Sequence, residues 1–304
     1  MTNSNLLSND RVWISWTGME TDLIFNKGYD LPNFAAFPMI DSAEGRDMLA
    51  RYYEDLIAIG RETGTGIILD TPTWMANPDR AKGVGYEAAD LPRVTHAGVA
   101  LARSVSDSNP DVATRVSVQI GPRGDGYEPG LSAAEASANY HAPQIDAARE
   151  AGADMVSAYT LGATGEAIGI STAAKRAGIP ALISFTVETD GKLADGTSLA
   201  SAVANLAEAA EPAAIMVNCA HPDHIAHAFD GGEWEAMLTG VIANASRQSH
   251  AELDDCEVLD DGDPDELGRQ LADMRRARPG LRILGGCCGT DLRHLRAAAE
   301  SVTG

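Results

Sequence analysis

The chain has 304 residues, 44% of them hydrophobic and 5% aromatic, enough for a large buried core in one big domain or two small ones. Its formal net charge of −21 excludes non-specific nucleic-acid binding, because a polyanion would be repelled. No stretch approaches the roughly 20 apolar residues of a membrane helix, and the polar start from Met1 to Arg11 lacks a secretory apolar run, so the chain reads as cytoplasmic.

Short apolar runs alternate with helical patterns along the chain. Val12–Trp16 reads as a first strand, followed by a helix over Arg46–Thr63. Gly66–Asp70 and Val116–Ile120 are the next strands, with helices over Tyr86–Ser108 and Ala133–Ala151 after them. Met155–Tyr159 leads to a helix over Gly165–Ala177, and Ala181–Phe185 to one over Leu199–Ala210. Ala213–Asn218, Gly240–Ala243 and Leu281–Leu284 complete the strands, with helices over Asp265–Ala277 and Asp291–Ser301. Most strands are apolar on both faces, as parallel strands covered on both sides require. Ser132 with Glu135 has the spacing of a capping box, and Gly152 and Gly178 stand where helices end. Eight strands alternating with helices imply an α/β chain folded as a (β/α)8 TIM barrel, one domain over 1–304. A doubly wound open sheet is the alternative.

Four cysteines in a long chain without a secretory start point to metal binding or catalysis before disulfides. Cys219 closes the sixth strand, and Cys287 and Cys288 follow the eighth, between glycines. Barrel enzymes place their chemistry at the C-terminal ends of the strands, and strands six and eight are one neighbour apart. Three thiolates fill three of the four tetrahedral positions of Zn2+ and leave the fourth open, the pattern of a catalytic site. Against this, each cysteine taken alone could be a buried core residue.

Other signals are weaker. His221, His224 and His227 recur beside Cys219 as a rival metal set, though Pro222 and Asp223 look like the first turn of a helix. The acidic run Glu252–Glu266 could be read as a calcium loop, but its glycine is misplaced for one, and a solvated loop is the better reading. Gly64-Thr65-Gly66 precedes its strand, which removes its value as a phosphate loop.

Gly285-Gly286-Cys287-Cys288-Gly289-Thr290 resembles the zinc signature of the homocysteine S-methyltransferase family, and Asn218-Cys219 its Asn-Cys at the sixth strand. Gly18-Met19-Glu20-Thr21, Asp70-Thr71-Pro72-Thr73-Trp74, Ile120-Gly121-Pro122, Ser184-Phe185-Thr186 and Asp195-Gly196-Thr197-Ser198-Leu199 resemble family motifs in the same order. The resemblance implies a stand-alone, cobalamin-independent barrel that carries a methyl group from a small-molecule donor to a thiol acceptor. Only a thiolate is a good nucleophile. Zinc favours that form, which would attack a methyl on positively charged sulfur or nitrogen. Two positions depart from the family. Trp16-Thr17-Gly18 stands where Asp-Gly-Gly is usual, and Tyr159 where a Glu ends the fourth strand. In relatives those carboxylates hold the homocysteine ammonium, and an unpaired ammonium is costly in a closed site. Glu20 is a nearby replacement for one of them.

The expected substrate-binding set is therefore Trp16, Thr17, Gly18, Glu20, Trp74, Arg123, Tyr159, Phe185 and Asn218. Within it, at least two of Trp16, Trp74, Tyr159 and Phe185 are expected to line one pocket with Cys219, Cys287 and Cys288 that takes a small onium donor, and Arg123 to pair with a donor carboxylate. A zinc hydrolase and a non-catalytic small-molecule-binding protein on the same barrel are the competing readings. Assembly as a homo-oligomer is left open.

Overall fold

A computed structural model describes residues 6–7, 11–128, 133–254 and 256–303. Eight parallel strands close into a barrel. They are β1 (Trp13–Trp16), β2 (Gly66–Asp70), β3 (Thr114–Ile120), β4 (Met155–Leu161), β5 (Ala181–Phe185), β6 (Ala214–Asn218), β7 (Leu238–Ala243) and β8 (Ile283–Gly286). β8 pairs back onto β1, with Trp13 opposite Ile283 and Trp16 opposite Gly286, and this closure replaces the open-sheet alternative.

The helices in chain order are α1 (Met19–Thr21), α2 (Ala43–Thr63), α3 (Pro78–Ala81), α4 (Leu91–Ser108), α5 (Ala134–Glu150) and α6 (Thr164–Ala177). They continue with α7 (Leu199–Ala210), α8 (Pro222–Ala228), α9 (His250–Asp254), α10 (Pro264–Ala277) and α11 (Leu292–Thr303). None among the described residues is long and apolar enough to cross a membrane.

Local sequence explains most of the boundaries. Ser42 caps α2 by accepting from the Gly45 N–H at 2.9 Å, and Asp263 caps α10 by accepting from Glu266 at 2.9 Å. Gly178 ends α6 at φ +75°, a left-handed position that costs glycine little. The Ser132 of the expected capping box lies outside the described residues. The helix there starts at Ala134 after Ala133, which makes no side-chain cap. α4 starts at Leu91, five residues later than the pattern suggests, because a short 3-10 turn over Ala88–Asp90 precedes it. β8 runs on to Gly286 and takes in two glycines that read as loop. A Cβ on Gly285 would lie 1.7 Å from the Ser15 carbonyl oxygen, so the β1–β8 contact leaves no room for a side chain there.

Two apolar layers fill the fold. Inside the barrel, Trp13, Ile68, Met155, Tyr159, Leu182, Met216, Ile242 and Ile283 form one cluster that includes Cys219 and Cys287. Between barrel and helices lies a second cluster built from the alternate strand positions, such as Ile14, Trp16, Ile67, Val118, Phe185 and Val217. At the barrel's base, Leu6 and Leu7 pack against the interior cluster, and the Leu6 carbonyl accepts from Arg115 Nε at 2.6 Å.

Residues of the acidic run are tied into the fold. Asp260 accepts from Ser246 Oγ at 2.5 Å, Asp261 pairs with Arg293 at 2.6 Å, and Asp263 caps α10. Asp255 lies outside the described residues.

Candidate metal centre

The ends of β6 and β8 bring three sulfurs together. The Sγ atoms of Cys219, Cys287 and Cys288 all lie within 4.8 Å of one another, and those of Cys219 and Cys288 are 3.5 Å apart. Among the described residues this is the one group of three or more His, Cys, Asp or Glu ligand atoms close enough to share an ion. All four cysteines are free, and Cys256 stands apart, its thiol donating to Gln248 Oε1 at 3.0 Å.

The backbone pays for this convergence. Cys219 sits at φ +57°, a left-handed conformation uncommon outside glycine. It is held there because its N–H donates to the Ile242 carbonyl at 3.1 Å and its own carbonyl accepts from Tyr127 Oη at 2.9 Å. The Cys287 N–H donates to Ala243 at 2.7 Å, and the Cys287 carbonyl accepts from Thr290 Oγ1 at 2.6 Å. Gly289, at φ +78°, turns the chain back so that adjacent cysteines face one point. Gly18 presses on this turn. A Cβ there would lie 2.1 Å from the Cys287 carbonyl oxygen, a backbone atom that cannot step aside. Gly18→Ala is therefore expected to lose about 1–3 kcal/mol of stability through overpacking and to weaken metal retention, as measured by thermal melts and metal content.

The electrostatics favour a cation among the sulfurs. The Cys219 thiol is held well below the usual thiol range because Cys287, and then Cys288, donate hydrogen bonds to its sulfur against the penalty of burial. Donation to Cys219 pushes Cys287 up to about 12, and the same partner pushes Cys288 well above the usual range. One thiolate is thus stabilised by its neighbours, while a second and third need positive charge. A donor set of three sulfurs suits zinc and fills three of its four tetrahedral positions.

Asn218 orients the site from below. Its Oδ1 accepts from the Thr160 N–H at 2.8 Å, and its Nδ2 donates to Thr160 Oγ1 at 2.9 Å, with Cys287 Sγ at 3.8 Å. Thr17 is buried beside the Cys287 sulfur, where its side chain works to lower the thiol's pKa. Glu20, 5% exposed, is also close to Cys287, yet stands outside the sulfur group. Burial pushes its carboxyl up to about 7, and the charge on Cys287 adds to the shift.

The aromatic residues divide. Tyr159 and the partly buried Trp74 belong with the interior cluster that holds the cysteines. Tyr159 reaches across the barrel, its hydroxyl 3.0 Å from Ser15 Oγ and donating to Asp70 Oδ2 at 3.2 Å. Trp74 donates from Nε1 to the Tyr159 carbonyl at 3.3 Å. Trp16 and Phe185 face the helices instead. Trp16 packs 5.1 Å from the ring of Tyr52 on α2 and donates to Thr290 Oγ1 at 3.1 Å. Two of the four aromatics, Trp74 and Tyr159, thus share one cluster with the cysteines, and Trp16 and Phe185 do not. Arg123 also points elsewhere, with its Nε on Asp79 at 2.8 Å and its guanidinium over Tyr140.

The histidines do not join the sulfurs. His221 caps α8 by accepting from the Asp223 N–H at 3.1 Å, and burial holds its pKa down to about 4, so it is neutral. His227 Nδ1 is 2.9 Å from the Thr189 carbonyl. Two neighbours of the site stand outside the expected set, Asp70 although it opens the motif at the end of β2. Tyr127, in the β3–α5 loop, reaches Cys219 and stacks on His250 at 3.3 Å. Asp70 is a buried carboxyl whose Oδ1 has no partner.

A sequence model of the homocysteine S-methyltransferase family matches residues 16–302. The homocysteine S-methyltransferase of Escherichia coli (strain K12) is 27% identical over 245 residues, covering 75% of this chain and 78% of that protein. The crystal structure of the E. coli homocysteine methyltransferase MmuM in its oxidized form superposes with a TM-score of 0.74 at 23% identity, covering 98% of each chain. Its metallated form gives 0.72 at 23% identity, covering 95% of this chain and 96% of that one. A methyltransferase from Methanosarcina mazei gives 0.52 at 13% identity, covering 96% and 93%.

Proposed function

Because the chain belongs to the homocysteine S-methyltransferase family, and is a methyltransferase on that ground, we propose that it moves a methyl group from an onium-type donor to a small thiol at a zinc site. The observation that carries the reading is the convergence of Cys219, Cys287 and Cys288 within 4.8 Å at the ends of β6 and β8. Those three residues would hold the zinc, which supplies the Lewis acidity that keeps an acceptor sulfur deprotonated at neutral pH.

The chain's own residues do the rest. Tyr127, Asn218 and the Gly286–Thr290 turn fix the sulfurs in place before substrate arrives, so little reorganisation is left for the reaction. The acceptor thiol gives its proton to solvent, and its sulfur lone pair forms the new bond to the methyl carbon. The bond between that carbon and the onium atom breaks with its electron pair staying on the donor, which loses its positive charge. Thr17 and Glu20 would line the site next to Cys287, where Glu20 offsets positive charge on a bound substrate. Trp74 and Tyr159 would form the opposite wall. Three free thiols in one site also require a reducing compartment, in keeping with a cytoplasmic location. Residues 1–304 act as one catalytic unit in this reading.

Homocysteine is a poor acceptor in this proposal. Trp16 is turned toward α2, and the Tyr159 hydroxyl is occupied by Ser15 and Asp70, so neither presents a carboxylate to an α-ammonium. Glu20, with its pKa near 7, is partly protonated at neutral pH and is a weak substitute. A mass-spectrometric screen of onium donors against thiols tests both parts. Methylated thioether is expected, with homocysteine used less efficiently than thiols lacking the α-amino group. Efficient homocysteine turnover would overturn the acceptor reading, and no methyl transfer from any onium donor would overturn the reaction.

A further inference from the structure

Cys288 is half-buried where Cys219 and Cys287 are buried, and the two peptide groups that flank it are both held. The peptide before it is held through the Cys287 carbonyl, which accepts from Thr290 Oγ1 at 2.6 Å and from the Thr290 N–H at 3.1 Å. The peptide after it is held on both sides. Its carbonyl, that of Cys288, accepts from the Ala245 N–H at 3.1 Å, and its N–H, that of Gly289, donates to Thr21 Oγ1 at 3.1 Å.

Two of these bonds depend on the stretch from β1 to α1. Trp16, the last residue of β1, donates from Nε1 to Thr290 Oγ1 at 3.1 Å. Thr21, the last residue of α1, donates from its hydroxyl to the Gly18 carbonyl at 2.8 Å. A hydroxyl has one proton to give, and an indole N–H can only donate. Thr290 must therefore accept from Trp16 and direct its own proton at the Cys287 carbonyl. By the same logic Thr21 accepts from the Gly289 N–H and directs its proton at Gly18. Both hydroxyls are thus fixed in a single orientation. Trp16, Thr21 and Thr290 are 3%, 6% and 1% exposed, so a lost bond there leaves a buried group unpaired. The indole is itself immobilised, its ring 5.1 Å from that of Tyr52, whose hydroxyl donates to Asp22.

We propose that Trp16 and Thr21 are positioning residues for the metal, which brace the peptides on either side of Cys288 and so keep its sulfur in place as the third ligand. The inference rests on the zinc reading of the three cysteines. It gives Trp16 a part in metal affinity in place of contact with substrate, and it assigns Thr21 a role that its sequence motif does not disclose. Groups that hold metal ligands in place change affinity by about tenfold to a hundredfold when they are removed.

The test compares Trp16→Phe, Thr21→Val and Thr21→Ser with the parent, all reduced and metal-free at the start. Competition with a chromogenic chelator gives the zinc Kd. Titration with cobalt(II) in place of zinc gives the thiolate-to-cobalt charge-transfer absorption, which follows the number of bound sulfurs. Melting curves of the metal-free proteins report the fold alone. Trp16→Phe and Thr21→Val are each expected to raise the zinc Kd by about tenfold or more. Their cobalt charge-transfer band should fall by about a third as one sulfur of three is lost. Thr21→Ser, which keeps the hydroxyl, should restore both values. Where Trp16→Phe does not fold, the two Thr21 variants carry the test. An unchanged Kd and cobalt band in Thr21→Val, whatever its melting temperature, would overturn the proposal by leaving these residues a purely structural part. So would a loss in Thr21→Val that Thr21→Ser fails to rescue. A parent that binds neither zinc nor cobalt would overturn the metal reading together with this inference, whereas a parent that binds both beside unaffected variants would overturn this inference alone.

Discussion

Replacing Cys219, Cys287 or Cys288 with serine will strip the protein of bound metal and of methyl transfer, whereas Cys256→Ser will keep both. Three sulfurs within 4.8 Å leave no spare ligand to compensate for a lost one. A hydroxyl does not ionise in this range and is a poor zinc donor. The expected loss of activity is at least about a thousandfold, since thiol deprotonation and acceptor placement disappear together. Metal analysis on the purified variants, paired with turnover, checks this. Full activity in a Cys287→Ala, Cys288→Ala double variant would remove the basis of the mechanism. Loss of metal in Cys256→Ser would mean the wrong cysteines had been identified, because that thiol is bonded to Gln248 and lies outside the sulfur group.

Asp70→Asn should stabilise the protein at pH 8 and leave it nearly unchanged at pH 4. Burial raises the Asp70 carboxyl from 3.8 to about 7, against the lowering effect of hydrogen bonds from Ser15 and other hydroxyls, including Tyr159. Below pH 3.8 the group is protonated in both folded and unfolded chains and contributes no pH dependence. As pH rises toward 7 the folded chain keeps a proton that the unfolded chain has released, so stability falls. Above 7 the whole cost is present. A gap of about three units corresponds to about 4 kcal/mol. Asparagine keeps an acceptor for Ser15 without the charge, so melting curves at the two pH values should separate from the parent only at the higher one. An identical difference at both would show that Asp70 is not titrating in the fold.

The sequence was most informative where chemistry and periodicity agree. Three cysteines at the ends of two strands, one of them a vicinal pair between glycines, leave few other interpretations. The alternation of strand and helix likewise leads to a barrel. Side-chain direction was hidden for a physical reason. Along β1, Trp13 and Ser15 face the barrel interior while Ile14 and Trp16 face the helices. A strand buried on both sides is apolar at every position, so its pattern does not separate the two faces. Phe185 was misplaced in the same way. Arg123 follows a strand end, and only its pairing with Asp79 takes it away from the site. Tyr127 lies in an aperiodic loop, and its approach to Cys219 depends on how that loop folds back.

Leu6 and Leu7 cork the barrel's base, with the Leu6 carbonyl fastened to Arg115. Above them the barrel interior is filled by the side chains of one apolar cluster that continues up to Cys219 and Cys287. The interior is thus a solid pillar that carries the packing of the base up to the ends of β6 and β8, and the cysteines rest on its top.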